Sequence, residues 1–207
     1  MEPVLDEADL FVDWLHTRND AGQKVREADG LYHISSLIRA VYVESGLAAK
    51  QGRVYGLDKA DGSVDDPTLR FEFGYMWEDM LSDYFRQKVH IAQLGVERPE
   101  PIVVGDMVCS PDGLDVAGRL YEYKATMAGP KPVGSYWTWM HQIRAGCWFA
   151  GTTQAELWVW HLAGDWKPPS PFIKRYRLWF EKYELDETFR MLAAQRDKEH
   201  RRKQGAK

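Results

Sequence analysis

The sequence predicts a mixed α/β fold with one central mixed sheet flanked by helices. Three observations predict it. Helical spacing of apolar residues dominates the first half of the chain. The second half then runs strand, strand, helix, strand, strand, helix. Its 207 residues, 44% hydrophobic and 28% charged, suit a single buried core and not a disordered chain. The reading is one domain over 1–207, with N-terminal helices to about 95, a sheet core over about 96–182, and a C-terminal helix and basic tail over about 183–207.

Each element has its own warrant. Leu5, Leu10, Phe11, Trp14 and Leu15 recur at helical spacing among acids, predicting an amphipathic helix over 4–18. The polar stretch 21–30 reads as a loop. Ser35 or Ser36 is positioned to cap a helix reaching about Ala49, with Leu37, Ile38, Val41 and Val43 as its apolar side. Gly, Asp and Pro over 52–68 predict irregular chain. A long helix over about 68–89 follows, its buried face drawn from Leu69, Phe73, Met76, Trp77, Met80, Leu81, Tyr84 and Phe85. Strands are expected over Ile102–Cys109 and Arg119–Thr126, joined by the Gly-bearing segment 111–118. A helix over about 135–150 carries Tyr136, Met140, Ile143 and Cys147 on one stripe. Strands over Ala155–Leu162 and Phe172–Phe180 flank a loop around Lys167-Pro168-Pro169, and Asp186 is expected to cap the last helix.

Composition excludes several classes of activity. No apolar run approaches the ~20 residues of a membrane span, and the acidic N-terminal stretch is unlike a signal peptide, so a cytoplasmic location is expected. Two cysteines, Cys109 and Cys147, cannot supply a four-cysteine zinc or iron–sulfur site. Neither a Walker loop nor a Gly-x-Ser-x-Gly nucleophile motif occurs, and the histidines lack metal-ligand spacing. Charge is uneven: residues 1–30 hold eight acids against three bases, and 196–207 hold six bases against two acids. A net charge of -4 opposes non-specific coating of nucleic acid but leaves room for a local basic path.

The most informative segment is Ser110-Pro111-Asp112-Gly113, followed by Glu122-Tyr123-Lys124. Alternation on a strand puts Glu122 and Lys124 on one face and Tyr121 and Tyr123 on the other. If the Gly-bearing connection folds the preceding segment back, Asp112 comes beside Glu122. Two adjacent carboxylates with a lysine are costly to bury, and a hard divalent cation resolves their repulsion. That set of parts suits hydrolysis of a phosphodiester. The competing reading is a surface Glu–Lys pair and a simple Asp-Gly turn, which any single Glu-x-Lys favours.

The order and spacing of these residues resemble the PD-(D/E)XK nuclease signature, in the form found in phage lambda-type (YqaJ-like) recombination exonucleases. Gly74-x-x-x-Glu78 upstream and His141-Gln142 downstream fit the same pattern, so the likeness spans roughly 31–162. The resemblance implies a restriction-endonuclease-like core and a Mg²⁺-dependent deoxyribonuclease, with Mn²⁺ as the alternative ion. It further implies 5′-to-3′ exonuclease action on duplex ends in recombination or repair, alongside a single-strand-annealing partner and within a homo-oligomer. Asp112, Glu122 and the Tyr123 carbonyl would hold the metal, with Glu78 as a further ligand, directly or through water. Lys124 would orient or activate the attacking water, and Gln142 would help place it or touch the substrate. Asp115 is a second acid that either replaces or assists Asp112, and Asp106 is either an outer acid or a strand-end surface residue. Substrate contacts are expected from Ser110, from Ser35 at a helix start and from Lys131, an approximate stand-in for the family's 5′-phosphate-binding base. A structure-specific endonuclease using the same site, or a silent DNA-binding module, are the competing functions. Two features stay open: the tryptophans are mostly core by spacing, with one or two available to stack on bases, and Lys174-Arg175-Tyr176-Arg177 either tracks a phosphate backbone or forms a solvated face.

Overall fold

The computed structural model describes residues 30–47, 74–81, 83, 95–126, 129–162 and 172–205. The helix expected over 4–18, the loops over 21–30 (save Gly30), 52–68 and 167–169, and most of the 68–89 helix lie outside the described residues. The elements are β1 (Tyr32–His33), α1 (Ile34–Glu44), α2 (74–81), β2 (Ile102–Val104), β3 (Met107–Cys109), β4 (Gly113–Leu114), β5 (Leu120–Thr126), α3 (Trp137–Ala150), β6 (Gln154–His161), β7 (Phe172–Trp179) and α4 (Lys182–Gly205).

A four-stranded mixed sheet carries the second half, in the order β4-β5-β6-β7. Its β4–β5 and β6–β7 pairs are antiparallel, and β5–β6 is parallel with α3 as the crossover. The first three strands form a separate small sheet, β1-β3-β2, so the single sheet read from the sequence is two among the described residues. The split falls at Ser110-Pro111-Asp112, between β3 and β4. Pro111 is fully buried there, and a proline has no N–H to extend a ladder.

The expected strand over Ile102–Cys109 is itself a hairpin. Val104 pairs with Met107 across Gly105-Asp106, and Gly105 adopts φ 63, a conformation glycine takes without steric cost. Further corrections concern helix ends and faces. Helix α1 begins at Ile34 behind His33, without a side-chain cap bond, so Ser35 and Ser36 are exposed first-turn residues and not caps. Tyr42 and not Val43 is its buried residue; Tyr42 stacks on Trp137 at 5.5 Å, and Val43 is exposed. On α2, Trp77 and Leu81 are buried, but Met76 and Met80 are exposed. Helix α4 begins four residues before Asp186, because Glu184 reaches back to accept the Glu181 N–H at 3.0 Å. Asp186 instead accepts the Trp148 indole N–H at 3.1 Å.

The four-stranded sheet is packed on both faces. Met140, Ile143 and Cys147 of α3 lie on one face against Leu120, Ala155, Leu157 and Val159. Trp77 and Leu81 of α2 lie on the other, against Tyr121 and Tyr123. A third cluster joins α1, α3 and α4 over the small sheet through Leu37, Ile38, Phe149 and Leu192. The strand alternation expected for residues 121–124 is therefore present.

Candidate active site

The connection after Asp112 builds the site locally. Gly113 pairs with Tyr121 and Leu114 with Leu120, folding the chain back beside β5. A Cβ on Gly113 would lie 2.9 Å from Val96 Cγ1 and 3.2 Å from the Tyr123 hydroxyl, so only glycine lets these groups close over the turn. Asp115 ties that turn: its Oδ1 accepts the N–H of Ala117 at 2.9 Å and of Arg119 at 2.8 Å. One carboxyl oxygen of Asp115 is thus occupied by backbone. Asp106 is also engaged elsewhere, in an ion pair with Arg196 of α4.

Asp112 and Glu122 are both buried, with 8% and 3% of their surfaces exposed. Asp112 Oδ2 accepts the backbone N–H of Tyr123 at 2.8 Å, which fixes the acid against the middle of β5. The Lys124 ammonium donates to Glu122 Oε1. Glu78, on α2, is half-buried and pairs with Arg98 at 3.2 Å. Asp112, Glu122 and Lys124, close in sequence, thus share one electrostatic neighbourhood with the distant Glu78.

The charges there do not balance. Burial, with Asp112 next to it, pushes Glu78 up to about 7. Burial raises Glu122 to about 8, with the Lys124 ammonium pulling against it and Asp112 adding to it. Burial also raises Asp112, against the pull of Lys124 and the Tyr123 N–H. Lys124 stays above its ordinary value because Glu122 and Asp112 outweigh the cost of its burial. Three carboxylates around one buried ammonium leave a site that takes up protons or a cation. Its hard oxygen donors fit Mg²⁺ or Mn²⁺, which bind through one or two carboxylates and retain water. Among the described residues no group of three or more His, Cys, Asp or Glu side chains is drawn together as a metal-ligand set. Cys109 and Cys147 nearby are buried with raised pKa values, which leaves them as inert thiols.

The remaining expected residues stand apart. Gln142 is half-buried on α3, Ser110 is exposed beside Asp112, and Ser35 and Lys131 are exposed. Among the described residues none of these four makes a hydrogen bond from its side chain to the carboxylates; the Lys131 N–H donates to the Tyr136 hydroxyl at 3.1 Å. Arg98 escaped the sequence reading, since its partner Glu78 is twenty residues away on another element. Glu156, buried in β6 under Arg119 and Arg175, escaped it too. An acid inside an apolar strand that faces a basic strand was the available signal.

No protein-family model and no curated protein matches the sequence. Solved structures resemble its fold. The alkaline exonuclease LHK-Exo from Laribacter hongkongensis superposes with a TM-score of 0.51 at 15% identity, over 86% of this chain and 94% of that one. A phage-related exonuclease from Haemophilus somnus 129PT gives a TM-score of 0.40 at 10% identity, over 80% and 91% of the two chains. The described core, a mixed sheet flanked by helices, thus has the restriction-endonuclease-like fold that the PD-(D/E)XK resemblance implies.

Proposed function

We propose that the protein is a divalent-metal-dependent deoxyribonuclease that hydrolyses phosphodiesters from duplex ends, with 5′-to-3′ polarity, in phage-type recombination or repair. The observation that carries the reading is the convergence of Asp112, Glu122 and Lys124 in one buried cluster with Glu78 alongside. The likeness of fold to an alkaline exonuclease supports it. Asp112, Glu122 and the Tyr123 carbonyl are the proposed ligands, with Glu78 as a further one. A bound Mg²⁺ supplies Lewis-acid polarisation of the phosphodiester and acidifies a water.

The protein's own part is positional and electrostatic. The β5 ladder holds Glu122 and Lys124 two residues apart on one face, and the Tyr123 N–H locks Asp112 against them. Lys124 Nζ keeps its proton through its carboxylate neighbours, and its proposed role is to orient or activate the attacking water. Gln142 is assigned to water or substrate placement on the resemblance alone. Lys131, Ser35 and Ser110 are assigned to the substrate backbone on the same ground.

Linear duplex labelled at one 5′ end, with a closed-circular control and Mg²⁺ or EDTA, tests the reading. Early Mg²⁺-dependent release of the 5′ label as mononucleotide, absent on circles, is the expected result. Asp112→Ala and Lys124→Ala should each slow hydrolysis by about 10²-fold or more. Unchanged cleavage by both variants would remove these residues from the site. Internal fragments would instead favour an endonuclease on the same fold.

A further inference from the structure

Strand β7 closes the four-stranded sheet at one edge, and its odd-numbered residues share the face that carries Tyr121, Tyr123 and α2. In order along the strand they are Ile173, Arg175, Arg177 and Trp179, with 54% of Ile173 and 65% of Trp179 exposed. Beside them on β6, Glu156 is 1% exposed and gathers three guanidiniums. Arg119 reaches it at 3.1 Å, Arg175 through two N–H groups, one at 2.7 Å, and Arg177 at 3.6 Å. The Arg175 guanidinium also lies over the Trp158 ring, 5.4 Å from its centre. Among the described residues, one buried carboxylate therefore orients three arginines, with two positive charges in excess beside an open indole.

Edge strands carry charge to deter pairing with other sheets, and that alone would explain a basic β7. It does not explain an exposed Trp and Ile on the same face, since exposed apolar edges invite the association that the charge prevents. A second copy of the chain is also a poor occupant, because it would bring the same uncompensated guanidiniums. Excess positive charge with an open aromatic suits a polyanion that carries flat rings. Same-face residues recur every ~6.8 Å along a strand, comparable to the spacing of successive phosphates in an extended single strand. The row lies two strands, about 10 Å, from β5, with Arg175, Trp158 and Tyr123 in register, on the face opposite the Glu122 and Lys124 side chains.

We infer that this face of β7 binds a segment of single-stranded DNA, with phosphates on Arg175 and Arg177 and a base stacked on Trp179. The inference rests on the deoxyribonuclease reading for the source of that strand, which would be the one left when its complement is hydrolysed. Glu156 is a positioning residue that holds the guanidiniums flat on the sheet.

Fluorescence anisotropy with a labelled oligothymidylate in EDTA, where no hydrolysis occurs, tests it on the full chain. Arg177→Glu and Trp179→Ala are both at exposed positions and should fold with unchanged circular dichroism. Each should weaken binding about five-fold or more. Arg177→Glu should also make the slope of log K against log salt shallower by about 0.7 for each phosphate that the variant no longer neutralises. Tyr183→Ala, at an equally exposed aromatic on α4, should bind as the wild type does. Binding is read in EDTA without turnover, which separates this test from that of the nuclease reading. Wild-type affinity in both β7 variants, or a loss confined to duplex DNA, would overturn the inference even if Asp112→Ala abolishes cleavage.

Discussion

His141 shows how a single side chain couples packing to pH. Its Nδ1 lies 3.2 Å from the Thr188 hydroxyl of α4, its ring meets Trp137 at 4.2 Å, and Arg144 is a close positive neighbour. Burial and then Arg144 depress it to about 4. The unfolded chain thus takes a proton first, so the associated stability is complete above about pH 6.5 and is lost as pH falls toward 4. Partial exposure limits the loss to about 1–2 kcal/mol. The raised carboxylates act with the opposite sign in an overlapping range, so the difference between variants is the useful quantity. Denaturant unfolding of His141→Gln and wild type at pH 7 and pH 4.5 should show the variant losing less. None of this was legible in the sequence, where His141 stood only as the neighbour of Gln142; Thr188 is 47 residues away. By contrast Asp112, Glu122 and Lys124 were legible because one turn and one strand bring them together within thirteen residues.

Helix α3 fits its sheet through its smallest residue. A Cβ on Gly146 would meet Leu120 Cδ2 at 2.9 Å, directly beneath the strand that carries Glu122 and Lys124. Gly146→Ala gains about 1 kcal/mol of helix propensity and loses about 1–3 kcal/mol to overpacking. A net fall in melting temperature is expected, and Leu120→Val in the same chain should restore part of it. Sequence periodicity found α3 and its buried stripe because one helix face answers to one sheet face. It found β6 and β7 for the same reason, but not their shared network, since only the register opposes Glu156 to Arg177. Spacing does not distinguish an edge strand from an inner one, so it does not mark Trp179 as the exposed tryptophan it is.

At the largest scale, the described residues form two sheets joined at Ser110-Pro111-Asp112, with unbalanced negative charge near that joint. Relieving the charge should stabilise the fold. Asp112→Asn retains an acceptor for the Tyr123 N–H and removes one carboxylate, so it should melt above wild type when both are in EDTA. Adding Mn²⁺ should stabilise the wild type by about 2.7 kcal/mol at a hundred times its dissociation constant, raising its midpoint, and leave the variant nearly unmoved. Differential scanning calorimetry of the two proteins reads both effects, and a less stable variant in EDTA would show that the charges are already compensated. The order of elements predicts the fold class but could not show a divided sheet, because Pro111 acts only in the context of both ladders. The core over the small sheet has a further consequence, in time. It is closed by Leu192 against Ile34 and Leu37, and the Tyr32 hydroxyl lies 3.3 Å from His200, 168 residues later. Ribosomes add ~5–20 residues per second, so β1 and α1 wait roughly ten to thirty seconds for the helix that buries them. The β4–β5 hairpin can form as soon as it emerges, while this cluster is completed only once the last helix has been synthesised.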